Sequence, residues 1–196
     1  FALMLALPNK LVRGHNSMVA GEWVKKDLKR TELHGKTLGL LGAGRIGSEL
    51  GKRAKAFGMK VLAYDPYLKE SEFELVDLDT LLAKSDYISL HMPLTDETRG
   101  IVNKGFIAKM KPGARIINTG RGKCVVEADV VDALKSGKLA GFATDVWYSD
   151  PPETNPFVGL ENVIMLPHIG AGTKENMDRI GDIIVELLEE YYPDRK

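Results

Sequence analysis

The sequence is poor in the features that would mark several common protein classes. Cys124 is the one cysteine in 196 residues, so no intrachain disulfide is possible and a cross-linked secreted scaffold is excluded. A reducing, cytoplasmic setting is the expectation. The apolar opening, Phe1 to Leu7, is halted by Pro8-Asn9-Lys10, far short of a bilayer span, and it lacks the basic start and small-residue cleavage site of a secretion signal. Neither charge sign is in excess: 27 Lys and Arg balance 27 Asp and Glu. No global field therefore points to nucleic acid or an anionic membrane, and neither is expected as a partner. No metal is expected. The first residue is Phe and not Met, which suggests a piece of a longer polypeptide.

What is present is an alternation of short apolar runs with helically spaced segments. Thr37 to Leu41, Met59 to Tyr64, Tyr87 to Leu90, Ala114 to Asn118, Ala140 to Val146 and Val163 to Leu166 read as buried strands. Between them, helices are predicted over Arg45 to Phe57, Asp79 to Lys84, Lys104 to Met110 and Glu127 to Ser136. The first carries Ile46, Leu50, Ala54 and Phe57 on one stripe. A long amphipathic helix follows from Lys174 to Tyr192, with Met177, Ile180, Ile184, Leu187 and Tyr191 on its inner stripe. This grammar predicts an α/β fold, a doubly wound parallel sheet with three α/β/α layers. The first 35 residues stand outside it, as helical pieces broken by Pro8 and Gly14.

Gly42-Ala43-Gly44-Arg45-Ile46-Gly47 lies between the first strand and the first long helix. In such a turn Gly42 permits the tight bend, Gly44 lets the backbone approach a pyrophosphate, and Gly47 lets the helix pack closely on the sheet. Arg45 and Ile46 open a helix whose unpaired N–H groups and positive dipole end face the phosphates. Glycines also serve tight turns for steric reasons alone, so the loop by itself is a weak signal. Asp65 strengthens it. Eighteen residues past Gly47, at the end of the second strand, its carboxylate can accept hydrogen bonds from ribose hydroxyls and would repel a 2′-phosphate. Pro66 and Tyr67 supply no compensating arginine, so the expected cofactor is NAD and not NADP.

Further segments fall at strand ends on the same sheet edge: His91-Met92-Pro93-Leu94-Thr95, Asn118-Thr119-Gly120-Arg121-Gly122, Thr144-Asp145-Val146-Trp147 and Pro167-His168-Ile169-Gly170. With the glycine turn and Asp65, they resemble the D-isomer-specific 2-hydroxyacid dehydrogenase family in order and spacing over nearly the whole chain. That family includes phosphoglycerate, glycerate and D-lactate dehydrogenases, glyoxylate reductases and NAD-dependent formate dehydrogenases. The resemblance implies hydride exchange between NAD and a small 2-oxo or 2-hydroxy acid. It makes Arg121 the binder of the substrate carboxylate, for which a planar two-pronged donor is suited. It makes His168 the general acid/base, a side chain that exchanges a proton near neutrality. Around the cofactor it places Met92 and Pro93 on the adenine side, Asp145 at the nicotinamide end, and Thr119, Gly120, Gly170 and Ala171 alongside. His91 reads as structural, and Cys124 as a small core residue.

The family pairs its histidine with a glutamate, where this sequence has Asp150, one methylene shorter. The pairing is then either kept by a small backbone shift or loosened. Formate dehydrogenases of the family carry glutamine there, so an acid argues against formate oxidation. By the same resemblance, residues 1–196 form one dinucleotide-binding domain. Residues 1–35 are its entry helix and dimerisation segment, 36–172 its core and 173–196 the helix crossing back, while the first part of the substrate domain is absent. Exposure of Leu11, Met18, Val19 and Trp23 would be awkward for a monomer, so a homodimer is expected. The chain alone would then bind NAD with little turnover. Two other readings stand beside the enzyme: an NAD-sensing, corepressor-like dimer that presents a binding surface, and a regulatory NAD-binding domain without catalysis.

Overall fold

Strands buried on both faces need no polar alternation, and those of this chain pair in parallel throughout. The computed structural model describes residues 1–192; residues 193–196, the end of the expected crossover helix, lie outside the described residues. Its strands are β1 Thr37–Leu41, β2 Lys60–Tyr64, β3 Glu74–Leu75, β4 Tyr87–Leu90, β5 Ala114–Asn118, β6 Leu139–Thr144 and β7 Val163–Met165. They form one sheet in the order β3-β2-β1-β4-β5-β6-β7, every pairing parallel. The order reverses between β1 and β4, where Leu38 pairs with Tyr87 and Leu41 with Leu90. A cleft opens at the carboxyl ends of the strands at such a switch point.

The helices are α1 Ala2–Ala6, α2 Leu11–Val19, α3 Arg45–Ala56, α4 Leu78–Lys84, α5 Lys104–Lys109, α6 Glu127–Lys135 and α7 Lys174–Tyr191. On one face Leu38, Leu40, Val61 and Tyr87 pack with Met4 and Leu7 near α1 and with Leu50 and Ala54 of α3. On the other, Leu41, Leu62, Ile88, Ile116 and Phe142 pack with Leu81 of α4, Phe106 of α5 and Val130 of α6. The doubly wound, three-layer architecture expected from the alternation is the one observed.

Three expectations need correction. Gly14 does not break the first segment: α2 runs through it, while Pro8 does separate α1 from α2. The buried stripe of α3 is Gly47, Leu50, Gly51 and Ala54, and Ile46 stands 74 % exposed. Gly47 and Gly51 let the helix approach closely; a Cβ on Gly51 would meet the Phe73 ring. That closeness turns the helix so that Ile46 and Phe57 face outward. The third concerns α7, whose apolar stripe, Met177, Ile180, Ile184, Leu187 and Tyr191, is exposed, because no other part of the described chain lies against it.

α5 begins at Asn103, whose Oδ1 accepts the Gly105 and Phe106 N–H groups at 2.9 and 3.1 Å. Asn103→Ala should therefore cost about 1 kcal/mol, read as a lowered urea midpoint. An unchanged midpoint would show that the cap is dispensable.

Candidate active site

β1 ends directly in the glycine turn. Gly42 has φ +95°, which side-chain-bearing residues rarely adopt. A Cβ there would lie 3.0–3.1 Å from the His91 and Met92 backbone, and one on Gly47 would strike the Gly42 carbonyl oxygen. Around Gly44, in contrast, a Cβ would meet nothing within 4 Å. The turn is thus closed on its protein side and open on its outer side. Gly44 is also the N-cap of the 12-residue α3 and offers no side-chain cap to its first N–H groups. An uncapped helix start reached across bare backbone suits the pyrophosphate of a dinucleotide.

At the end of β2, Asp65 Oδ2 accepts the Ala43 N–H at 3.1 Å and Oδ1 accepts the Tyr67 N–H at 3.0 Å. The carboxylate therefore braces the glycine turn, a contact the spacing alone does not reveal. Pro66 and Pro93 are exposed and Met92 half-buried along the same edge.

β5 ends in Asn118, and the turn beyond it carries Thr119, Gly120 and Arg121. Gly120 is buried, where a Cβ would lie 3.1 Å from the Leu90 carbonyl oxygen. Arg121 is exposed, and its Nη1 donates to the Gly120 carbonyl at 2.7 Å. Beyond β6, Asp145 is only 3 % exposed, and its two carboxylate oxygens accept the N–H groups of Ile169 and Gly170 at 2.9 and 2.7 Å. Those amides directly follow His168, which has the left-handed φ of +57°. The His168 ring extends outward, with Nδ1 2.5 Å from Asp150 Oδ2 and about half of each side chain exposed. The shorter acid reaches the ring. Gly170 and Ala171 are exposed beside it.

Residues 1–170 match the family described as D-isomer specific 2-hydroxyacid dehydrogenase, NAD binding domain. The chain belongs to that family. It is 47 % identical over 195 residues to a hydroxypyruvate reductase of Thermotoga maritima, covering 97 % of this chain and 63 % of that protein. It is 46 % identical over 191 residues to a D-3-phosphoglycerate dehydrogenase of Archaeoglobus fulgidus, covering 94 % and 36 %. Among solved structures, a glyoxylate reductase from Paecilomyes thermophila superposes with a TM-score of 0.90 at 35 % identity, covering 95 % of this chain and 58 % of that one. A D-lactate dehydrogenase from Aquifex aeolicus, complexed with NAD and lactic acid, gives 0.88 at 32 % identity, covering 97 % and 64 %. The chain thus spans less than two thirds of the length of these relatives.

Within this NAD-binding domain the residues singled out from sequence lie in the segments that follow the carboxyl ends of β1, β2, β4, β5, β6 and β7, with Arg45, Ile46 and Gly47 in the first turn of α3. Asp150 and His168 are in contact, and Asp145 reaches the His168 turn. Arg121 makes no contact with either and stays on its own turn. Sequence reasoning missed the two buried clamps, since Asn118 was part of a motif without a role and Asp145 was read only toward the nicotinamide. Strand-final polar residues in an otherwise apolar run were the available signal. It also missed the pressure of Gly122 on Trp147, whose carbonyl a Cβ at Gly122 would strike. Among the described residues no cluster of three His, Cys, Asp or Glu side chains could hold a metal, and no helix is long and apolar enough to cross a membrane.

His91 closes the floor of the glycine turn, its Nε2 2.9 Å from the hydroxyl of buried Ser89. Burial lowers its pKa to about 4. An unfolded histidine titrates near 6.5, so between the two values the unfolded chain binds a proton that the folded chain refuses. Stability present above pH ~6.5 is therefore lost as the pH falls toward about 4, by up to roughly 3 kcal/mol. Urea unfolding of the native chain and of His91→Gln should diverge over that range, with the variant the less pH-sensitive. Parallel curves would refute this account of His91.

Proposed function

We propose that this chain is the cofactor half of an oxidoreductase that interconverts D-2-hydroxy acids and 2-oxo acids. The observation that carries the reading is the Asp150–His168 contact, set on the sheet edge that also bears Arg121 and the open glycine turn. Gly42 to Gly47 would hold the NAD pyrophosphate and Asp65 the adenosine ribose, where its charge disfavours a 2′-phosphate. Met92, Pro93, Thr119, Gly120, Gly170 and Ala171 would line the remainder of the cofactor's course. Bound there, NADH supplies the hydride.

The protein's own groups supply the rest. Arg121 leaves its Gly120 contact to hold the substrate carboxylate, an exchange its exposure permits. His168 has Nδ1 directed to Asp150, which leaves Nε2 for the substrate oxygen. In reduction, protonated His168 donates from Nε2 as the carbonyl oxygen gains charge; in oxidation, the neutral ring takes the hydroxyl proton back. Asp150, in contact with Nδ1, selects the orientation of the ring. A negative charge at this position disfavours formate as substrate, by the comparison drawn from sequence.

The share of its relatives that the chain covers supports a further part of the proposal. The wall that closes over Arg121 and His168 belongs to a substrate domain outside this chain, and α7 leads back toward it with its apolar face ready for packing. The exposed Leu11, Val12, Met18, Val19 and Trp23 near the amino end support a homodimer with a twofold interface. The single buried Cys124 suits the cytoplasm. Neither the site nor the named relatives favour the corepressor-like reading.

In the intact polypeptide, His168→Gln should lower kcat for 2-oxo acid reduction by about a hundredfold or more while NADH affinity stays within a few-fold. Full activity in the variant, or no reduction of any 2-oxo acid by the native protein, would overturn the assignment. Light scattering of this chain at micromolar concentration should give twice the chain mass; the monomer mass would count against the dimer.

A further inference from the structure

The turn bearing Arg121 keeps one main-chain bond of its own, the Arg121 carbonyl accepting the Cys124 N–H at 3.3 Å. Thr119 and Arg121 are exposed, and the guanidinium reaches only the neighbouring carbonyl. The restraint comes from below. Asn118 is 1 % exposed, and its Nδ2 donates to the Arg121 carbonyl at 3.0 Å while its Oδ1 accepts the Gly120 N–H at 3.1 Å. Its main-chain carbonyl accepts the Asp145 N–H at 3.0 Å. Asp145 in turn accepts the Ile169 and Gly170 N–H groups that directly follow His168. A continuous run of hydrogen bonds therefore joins the Arg121 turn to the His168 turn, and Asn118 is its first member.

The geometry points to Asn118 as the positioning residue that sets Arg121 against His168, an inference resting on the roles proposed above for those two. The task requires an amide. One donor and one acceptor must leave the same short planar group in opposite senses, to a carbonyl and an N–H three residues and two residues on. Aspartate would set a carboxylate oxygen against the Arg121 carbonyl. An aliphatic isostere would leave the buried Gly120 N–H without a partner and the Arg121 carbonyl with only the longer bond from the Cys124 N–H, at 3.3 Å. The Arg121 backbone would then relax outward, and its fork would meet the substrate carboxylate out of line with the His168 proton.

The test is a double-mutant cycle in the intact polypeptide, with steady-state reduction of a 2-oxo acid by NADH and separate titration of NADH. Asn118→Ala should lower kcat/KM by about ten- to a hundredfold, as a misplacement near 1 Å does. NADH affinity should move about threefold or less, against the larger change in turnover. Placed on Arg121→Ala, the same substitution should cost about twofold or less, because the group it positions is already gone. Asn118→Asp, which keeps the acceptor for Gly120 and loses the donor to Arg121, should repeat the pattern and serves where Asn118→Ala fails to fold. An equal loss on both backgrounds would overturn the inference, since a merely structural role is additive. So would an Asn118→Ala protein with native kcat/KM. If Arg121→Ala itself leaves kcat/KM intact, the proposed role of Arg121 falls, and that arm reports its failure separately.

Discussion

The parallel sheet imposes the constraint from which the site follows. With both faces buried under helices, a strand has little room for a charged or long polar side chain except near its ends. Each crossover helix returns the chain to the same edge, so every strand ends on the side where the next loop begins. Asn118 ends β5, and Gly42, Asp65, His91, Asp145 and His168 follow β1, β2, β4, β6 and β7, so all six stand at that edge for this reason. The reversal between β1 and β4 falls at this same edge, the place where open α/β sheets generally take their ligands.

At that edge the buried groups and the exposed groups divide the work. Asn118 and Asp145 are buried and fully engaged with main-chain partners. Arg121, Asp150 and His168 are open to solvent. Buried polar groups are costly unless satisfied, so such clamps tolerate few alternatives and specify one loop geometry. Exposed side chains are free to change partners, which a group that must bind and release a substrate requires.

Local pattern carried the sequence reading as far as local causes reach. The strands, the glycine turn and the alternation of elements were legible because apolar period and glycine placement are written into neighbouring residues. Ile46 shows where that ends: helical spacing put it with Leu50 and Ala54, but the two glycines of α3 set the helix's rotation against the sheet. β3 is too short to produce a period, and Gly14 sits inside a helix that its neighbours sustain. The Asp150–His168 contact spans 18 residues, and no spacing rule could say whether the shorter acid would reach. The hydrogen bonds of Asn118 and Asp145 were illegible for the opposite reason, since their partners are main-chain groups that any sequence would supply.

The Asp150–His168 pair also shows why the backbone matters more than the contact itself. Two side chains about half exposed gain little from an ion pair in water, within roughly 0–1 kcal/mol, and salt weakens it further. Such a contact cannot fix the ring against thermal motion on its own. What fixes it is the left-handed backbone of His168, a conformation of intrinsic cost for a residue with a Cβ, followed directly by the Ile169 and Gly170 N–H groups that donate charge-assisted hydrogen bonds to the Asp145 carboxylate. The order at the ring is therefore imported from a buried carboxylate two bonds removed from it. The solvent-facing pair then needs only to select the ring's orientation, and covering it with a further surface would strengthen an arrangement that already exists.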